Sequence, residues 1–527
     1  MRAVSAVRGP PGRWIAVIDI RDLMAAASTI PVDGRVAPRP ERRTGTPTAE
    51  GVVGTPAAKR LSPVVLTGAV RIVEFLLAAL SGLVVYEIYL AERGLPEFNY
   101  LVGFVALASA TIIVLQGLGA YSIPAFRAFA RTVLRLLGGW VLVFLLALAA
   151  IFLLKAGEQF SRVWLVGWFG LGFMALVVER LALAVAVTRM TRAGWFDRRT
   201  AIVGGGPVAE GMIRALEAQS DTGIRIVGVF DDRGDDRSSD VIAGYPKLGT
   251  VDDLVDYARK TQLDLVIFTV PLSAETRLLQ MLSKLWVLPI DIRLGASTSK
   301  LRLRPRSYSY LGSVPVLDLF DKPMADWDLV VKWLFDRIVG ALLVAALSPV
   351  MLAVAIAIKL DSRGPVFFRQ KRYGFNNELI EVFKFRSMYV DQCDVTAAKL
   401  VTKDDPRVTR VGRFIRKTSL DELPQLLNVV LKGDLSLVGP RPHALHAKAA
   451  NQLYDQVVDG YFARHKVKPG ITGWAQINGW RGETDTQEKI QRRVEHDLYY
   501  IEHWSVFFDL QILAATPLAL FKTENAY

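Results

Sequence analysis

The sequence predicts a membrane protein of three folded parts: an α-helical transmembrane bundle, a Rossmann-like α/β domain, and a mixed α/β domain anchored by a re-entrant membrane helix. Three observations predict it. Four apolar stretches near membrane-spanning length precede residue 190, and short β-branched runs alternate with helical patterns from residue 199. A further apolar run, "ALLVAALSPVMLAVAIAIKL" at 341–360, carries Ser348 and Pro349 at its middle.

Composition agrees with a mixed membrane and aqueous protein. The 527 residues suggest about three or four domains. Hydrophobic residues make up 51% and the mean hydropathy is +0.28, high for a soluble protein and low for a transporter. A net charge of +13 implies anionic partners. Because the basic residues sit mostly beside apolar segments, lipid headgroups and phosphorylated substrates are favoured over nucleic acid. The single cysteine, Cys393, forms no metal-ligand pattern with the five histidines, which argues against zinc or cysteine chemistry.

Residues 1–60 are rich in Arg, Pro, Ala and Thr without periodicity, and no apolar core follows the early arginines as in a signal peptide. They read as a disordered cytoplasmic tail. The bundle occupies 61–192, with spans near 64–90, 100–120, 133–154 and 163–187. Glu74, Glu87, Glu179 and Arg180 leave the ends of the first and fourth spans open. Arg127 and Arg131 between spans two and three, with Arg189, Arg192, Arg198 and Arg199 after span four, mark cytoplasmic sides, so the block starts and ends inside.

The Rossmann-like domain covers 193–325. Gly204, Gly206 and Ala209 make a G-x-G-x-x-A turn after a strand, and Asp231 or Asp232 follows at the spacing of a dinucleotide fingerprint. The glycines serve a tight strand-to-helix turn with or without a pyrophosphate.

The last part, 326–527, holds the densest chemistry in "RKTSLDELPQLLNVVLKGDLSLVGPRP", residues 416–442. Taken alone, Ser419 followed by Glu422 reads as a capping box. Asp421 and Glu422 are adjacent, so on a helix they point about 100° apart and cannot face each other as an acid and base. They can both address a cation and a phosphate above a helix N-terminus. Basic residues crowd the same region: Arg369, Lys371, Arg372, Lys384, Arg386, Arg410, Arg413, Arg416, Lys417 and Arg441. Such density suits a diphosphate, with arginine offering a bidentate fork.

"RQKRYG", "FKFRSM", "TSLDELPQLLNVVLKGDLSLVGPRP" and "KPGITGWAQINGW" occur in that order, and together they resemble the motifs of the bacterial sugar transferase family, the monotopic phosphoglycosyl transferases. The likeness covers about 326–527, and the front half is similar to that of the family's large members. The tail resembles members that begin exopolysaccharide synthesis with glucose 1-phosphate. The resemblance implies transfer of a sugar 1-phosphate from a UDP-sugar to undecaprenyl phosphate with release of UMP. It further implies that Asp421 attacks the β-phosphate to form a covalent intermediate, that Asp421 and Glu422 hold Mg²⁺, and that Arg441 contacts phosphate. Lys384, Arg386 and Arg416 are second candidates for phosphate. Asp434 is read as a brace, Pro469, Gly470 and Gly473 as a rigid turn, and Trp474 as packing. For the Rossmann-like region the resemblance implies a regulatory or dimer-forming role, hence a homodimer.

Two rivals from other classes are a membrane-anchored nucleotide-sugar dehydratase, which needs a second dinucleotide domain with a Tyr-x-x-x-Lys pair, and a non-catalytic regulator of polysaccharide length. The first lacks its motif here, and the second leaves the basic Asp-Glu region without purpose.

The run at 341–360 is long enough to span. With an inside start, however, a fifth crossing puts 361–527 outside, away from nucleotide sugars and Mg²⁺. Pro349 removes a helical hydrogen bond and the Ser348 hydroxyl can satisfy the freed carbonyl, so a bend at membrane depth is expected. The family's re-entrant helix with a Ser-Pro bend matches these residues, and about 330–360 is expected to enter and leave by one face.

Overall fold

The computed structural model describes residues 60–90, 98–219, 223–233, 240–270, 274–295, 309–311, 314–390, 405–442, 448–449, 452–453, 461–480 and 486–521. The tail expected at 1–60, apart from Arg60, lies outside them, as does Cys393. The described residues form two compact units, one ending at Asp197 and the other beginning at Arg198.

In the first unit the apolar stretches become long helices: α1 (Pro63–Leu90), α2 (Phe98–Gly117), a short α3 (Ile123–Arg127), α4 (Phe129–Leu153) and α5 (Arg162–Arg192). The four long ones are apolar enough to cross a membrane. Their common core is aromatic, built on Tyr86, Tyr100, Phe104, Trp140, Phe144, Trp164 and Trp168. Each buried indole has an acceptor: Trp164 donates to Gly82 O (2.9 Å), Trp168 to Ala78 O (2.7 Å) and Trp140 to Phe169 O (3.0 Å). Glu74 and Arg180 lie inside α1 and α5 rather than at their ends. They are fully buried and paired (Nε to Oε1, 2.6 Å), and the Tyr121 hydroxyl donates to the second oxygen of Glu74 at 2.5 Å.

The second unit opens with an eight-stranded sheet in the order β3-β4-β2-β1-β5-β6-β8-β7. Its strands and helices run β1 (Arg198–Val203), α6 (Pro207–Glu217), β2 (Ile224–Phe230), β3 (Val241–Ile242), β4 (Tyr245–Gly249), α7 (Val251–Lys260), β5 (Leu265–Phe268), α8 (Glu275–Leu285), β6 (Asp291–Gly295), β7 (Ser309–Leu311) and β8 (Val314–Phe320). β4, β2, β1, β5 and β6 pair in parallel, as the alternation of strands and helices predicts. Gly204 (φ +100°) and Gly206 (φ +81°) take the left-handed conformations that the turn from β1 to α6 demands.

The remainder packs around α9 (Trp327–Asp361), a single 35-residue helix that runs on through Pro349. The carbonyl freed by Pro349 is that of Ala345, and the Ser348 hydroxyl donates to it at 2.8 Å. One face of α9 is packed along its length. Phe335, Val339, Leu343 and Leu347 join the core with Val438 and Tyr500, and Met351, Val354 and Ile358 join Phe385 and Ile415. The opposite face exposes Trp333, Leu342, Leu352, Ile356 and Leu360.

After α9 come the antiparallel hairpin β9 (Phe367–Tyr373) and β10 (Leu379–Phe385), then α10 (Arg410–Lys417), a 3₁₀ turn (Leu420–Glu422), the short α11 (Gln425–Leu427) and a π-helical turn (Asn428–Lys432). β11 (Ser436–Val438), the minimal β12 (Lys448–Ala449) and β13 (Gln452–Leu453), a 3₁₀ turn (Tyr461–Lys466), β14 (Gly470–Thr472), α12 (Trp474–Ile477), α13 (Gln487–Glu502) and α14 (Val506–Phe521) complete it. β11 and β14 pair in parallel.

Candidate active site

The acidic pair sits where α10, the hairpin and the loop after β11 converge. α10 starts on Thr409, whose hydroxyl accepts from Gly412 N, and its second residue donates to Asp361 at the end of α9. The chain then turns sharply: Ser419 adopts a left-handed conformation at φ +57°. For a residue with a Cβ that costs about 1–3 kcal/mol and persists only where the surroundings impose it. The capping box expected from Ser419 and Glu422 therefore does not form, since the Ser419 side chain caps nothing and Asp421 and Glu422 occupy a 3₁₀ turn. Cationic side chains supply a positive field around the pair.

Those side chains come from both flanks. Lys384 on β10 reaches Glu422 Oε1 at 3.0 Å, and Arg441 forks onto the same carboxylate at 2.6 and 3.3 Å. Burial alone raises an acid, but Arg441 and Lys384 overcome it and hold Glu422 well below the usual carboxylate range. Asp421 behaves oppositely. Burial raises it, Lys384, Arg416 and Arg441 pull it down, the Glu422 charge pushes it up, and the outcome is about 6. Among the described residues nothing hydrogen-bonds to its carboxylate. One carboxylate is thus clamped and its neighbour is left open within reach of three cations.

Asn428, fully buried, registers the acidic turn against the hairpin. Its amide accepts from Phe383 N at 2.9 Å and donates to Glu381 O at 2.7 Å. It also donates to Asp434, which braces the turn before β11.

The loop Gly439–Pro442 presents Arg441, and its backbone is held at almost every step. Val438 O accepts from Lys332 Nζ on α9 and from the Tyr500 hydroxyl, each at 3.0 Å. Gly439 N donates to Thr472 O, Pro440 O accepts from Gly470 N, Arg441 O from Arg464 and Pro442 O from Arg372. At Gly439 a Cβ would come within 2.6 Å of Lys468 O, so only glycine allows β14 this close. Lys332 also pairs with Asp509 (2.6 Å), while Asp336 accepts from Ser436 and from Leu437 N, which ties α9 and α14 to the strand ahead of Arg441.

Of the basic residues expected at phosphate, Lys384, Arg416 and Arg441 surround the pair, whereas Arg386 turns away. It is buried and donates to Arg363 O (2.6 Å) and Ser362 O (2.8 Å), capping the end of α9. Trp474 packs against Tyr499 and Phe508. In the Rossmann-like fold, Asp231 follows β2 as the spacing predicts, but Arg233 pairs with it (3.1 Å) and donates to Gly205 O at 2.7 Å, closing the glycine turn. Asp232 accepts from Val251 N at the start of α7. The residues that sequence reasoning missed are Asn428, Lys332, Asp336, Tyr500, Asp509 and Arg464. Each is a buried polar side chain, and no spacing in the sequence marks it.

Two protein families match parts of the chain. A family described as bacterial sugar transferase matches residues 327–523, and one described as a CoA-binding domain matches 116–296. The chain is 34% identical over 459 residues to a UDP-glucose:undecaprenyl-phosphate glucose-1-phosphate transferase of Xanthomonas campestris pv. campestris, covering 87% of this chain and 94% of that protein. To the protein of that description in Escherichia coli (strain K12) it is 36% identical over 436 residues, 82% of this chain and 91% of the other. An undecaprenyl-phosphate glucose phosphotransferase of Komagataeibacter xylinus is 41% identical over 361 residues, 68% of this chain and 66% of that one.

Proposed function

Because the chain belongs to the bacterial sugar transferase family, we propose that it moves glucose 1-phosphate from UDP-glucose to undecaprenyl phosphate, opening the synthesis of an exopolysaccharide. The observation that carries the mechanism is the open carboxylate of Asp421 beside a clamped Glu422. An Asp421 oxygen attacks the β-phosphorus of UDP-glucose, the bond from that phosphorus to the bridging oxygen breaks, and UMP leaves with the electron pair. An oxygen of undecaprenyl phosphate then attacks the same phosphorus and releases Asp421, giving the lipid diphosphate-linked glucose. Arg441, Lys384 and Arg416 offset the charge that an anionic nucleophile meets at a diphosphate.

Mg²⁺ fits the open Asp421 directly, whereas at Glu422 it would share oxygens that Lys384 and Arg441 already hold. Asp421 and Glu422 would hold it, and no cluster of three or more candidate ligands exists among the described residues, so phosphate and water would supply the remaining ligands. Bound there, it would neutralise phosphate charge and stabilise the leaving group.

The reading also places the protein in a bacterial inner membrane with residues 326–527 facing the cytoplasm. Two features support a one-faced entry for α9. At roughly 52 Å it exceeds the ~30 Å hydrocarbon core, yet both its halves pack on the same α/β body. Its charged start, Lys332 and Asp336, is buried in that body, while Asp361 at its end binds α10. The exposed apolar face of α9 and the apolar α14 would then lie in the bilayer interface. A homodimer is part of the same reading.

The test is to incubate the protein in membranes with undecaprenyl phosphate and a panel of UDP-sugars and to identify the lipid product. Glucose-diphospho-lipid and UMP are expected; a different sugar on the lipid corrects the donor, and no lipid product refutes the activity.

A further inference from the structure

We propose that Arg464 is a positioning residue for this transfer: it fixes Arg441, and through Arg441 the clamped state of Glu422, by donating to the main-chain carbonyl of Arg441. The inference rests on the transfer reading above.

Arg464 lies in the 3₁₀ turn Tyr461–Lys466 with its side chain fully buried. Its Nη2 donates to Arg441 O at 2.6 Å and pairs with Asp497 Oδ2 on α13 at 2.7 Å. A buried ion pair is weak support for a fold, since replacing both partners by apolar residues of similar size is often neutral or stabilising. What an apolar replacement cannot reproduce is the donor to Arg441 O. Other side chains hold the loop at Val438 and Pro442, but the carbonyl of the residue that carries the working guanidinium rests on Arg464. Freeing it lets the Cα of Arg441 shift, and at 2.6 Å from Glu422 a displacement of about 1 Å breaks the fork.

The turn bearing Arg464 is also where the Rossmann-like domain meets the catalytic fold. Asn376 donates to Ala258 O at the end of α7 (3.1 Å), and its neighbour Asn377 binds the His465 ring. Arg259 stacks on Phe462 at 4.8 Å, and Lys466 sits over Trp286 at 5.2 Å. The Rossmann-like domain thus braces the outer side of the segment that holds Arg441 from within.

The experiment is a coupling measurement. Arg464→Met/Asp497→Leu removes both partners of the buried pair, so neither is left facing a missing counter-ion; it is compared with wild type and placed in an Arg441→Lys background. Initial rates of UMP release from UDP-glucose are followed with thermal melting. The expected result is a kcat lower by about 10- to 100-fold with little change in KM, at a melting temperature near wild type. In the Arg441→Lys background the same change is expected to cost less than about threefold, because the residue through which it acts is already altered. An equal loss in both backgrounds, or no loss, overturns the proposal. If the double variant does not fold, Arg464→Lys, which leaves Asp497 a cation on a shorter stem, is judged by the same coupling and the same two contrary outcomes. Absence of UMP release by the wild type in this assay counts against the transfer reading and not against Arg464.

Discussion

Two buried carboxylate clusters in this molecule have opposite endings. In the helical block Glu74 has a counter-ion and a donor: Arg180 pairs with one oxygen at 2.6 Å and the Tyr121 hydroxyl donates to the other. In the catalytic fold three cations surround two carboxylates, yet Lys384 and Arg441 both bond to Glu422 and Asp421 is left open. The contrast teaches that burial and charge do not mark a reactive group here. An acceptor left without a donor among three cations does, because that positive surrounding favours the approach of an anionic substrate.

The comparison breaks first at Asp421. Asp421→Asn keeps the shape and removes the nucleophile, and lipid-linked product is expected to fall by at least about a thousandfold, read as radiolabelled glucose in the lipid fraction. Next is the matched cluster. Glu74→Gln leaves the buried Arg180 only the more distant Glu179 (3.8 Å) and is expected to lower stability by about 3 kcal/mol, measured by thermal unfolding in detergent, while transfer per folded molecule stays within about twofold. If that variant lost transfer and kept its stability, the two clusters would not be different in kind.

A smaller change sharpens the clamp. Lys384→Met leaves Glu422 only Arg441, and a loss of one charge-assisted hydrogen bond is expected to slow UMP release by roughly tenfold to a hundredfold. The smallest effect is on pH. Because burial raises Asp421 to about 6 and only its ionised form attacks, UMP release should fall as the pH drops through that region. Bound Mg²⁺ would move the fall to lower pH. A rate that rises on acidification contradicts an ionised nucleophile.

Much of this was legible from residues alone. Apolar length found the spans because hydrocarbon thickness sets helix length, and the glycine turn found β1 and α6 because only certain residues tolerate φ near +80° to +100°. The acidic pair was legible as chemistry but not as shape. Ser419 read as a helix cap, whereas the meeting of α10 with the hairpin forces it into a left-handed turn. Arg386 read as a twin of Lys384, but it lies just past the end of β10 and only the fold shows that it points to the end of α9. Asn428 and Arg464 were invisible for the same reason. Their partners, Phe383 at 45 residues and Arg441 at 23, are distant in sequence, and nothing local signals which carbonyl a buried donor will find.

The most direct measurement of the central claim is the mass of the intact protein after mixing with UDP-glucose and Mg²⁺ in the absence of undecaprenyl phosphate. The account predicts release of UMP up to one per active site and a matching glucose-phosphate adduct that maps to Asp421, discharged when the lipid phosphate is added. UMP release that requires the lipid phosphate, with no adduct at any time, would mean direct transfer between the substrates and would contradict an open Asp421 acting as nucleophile.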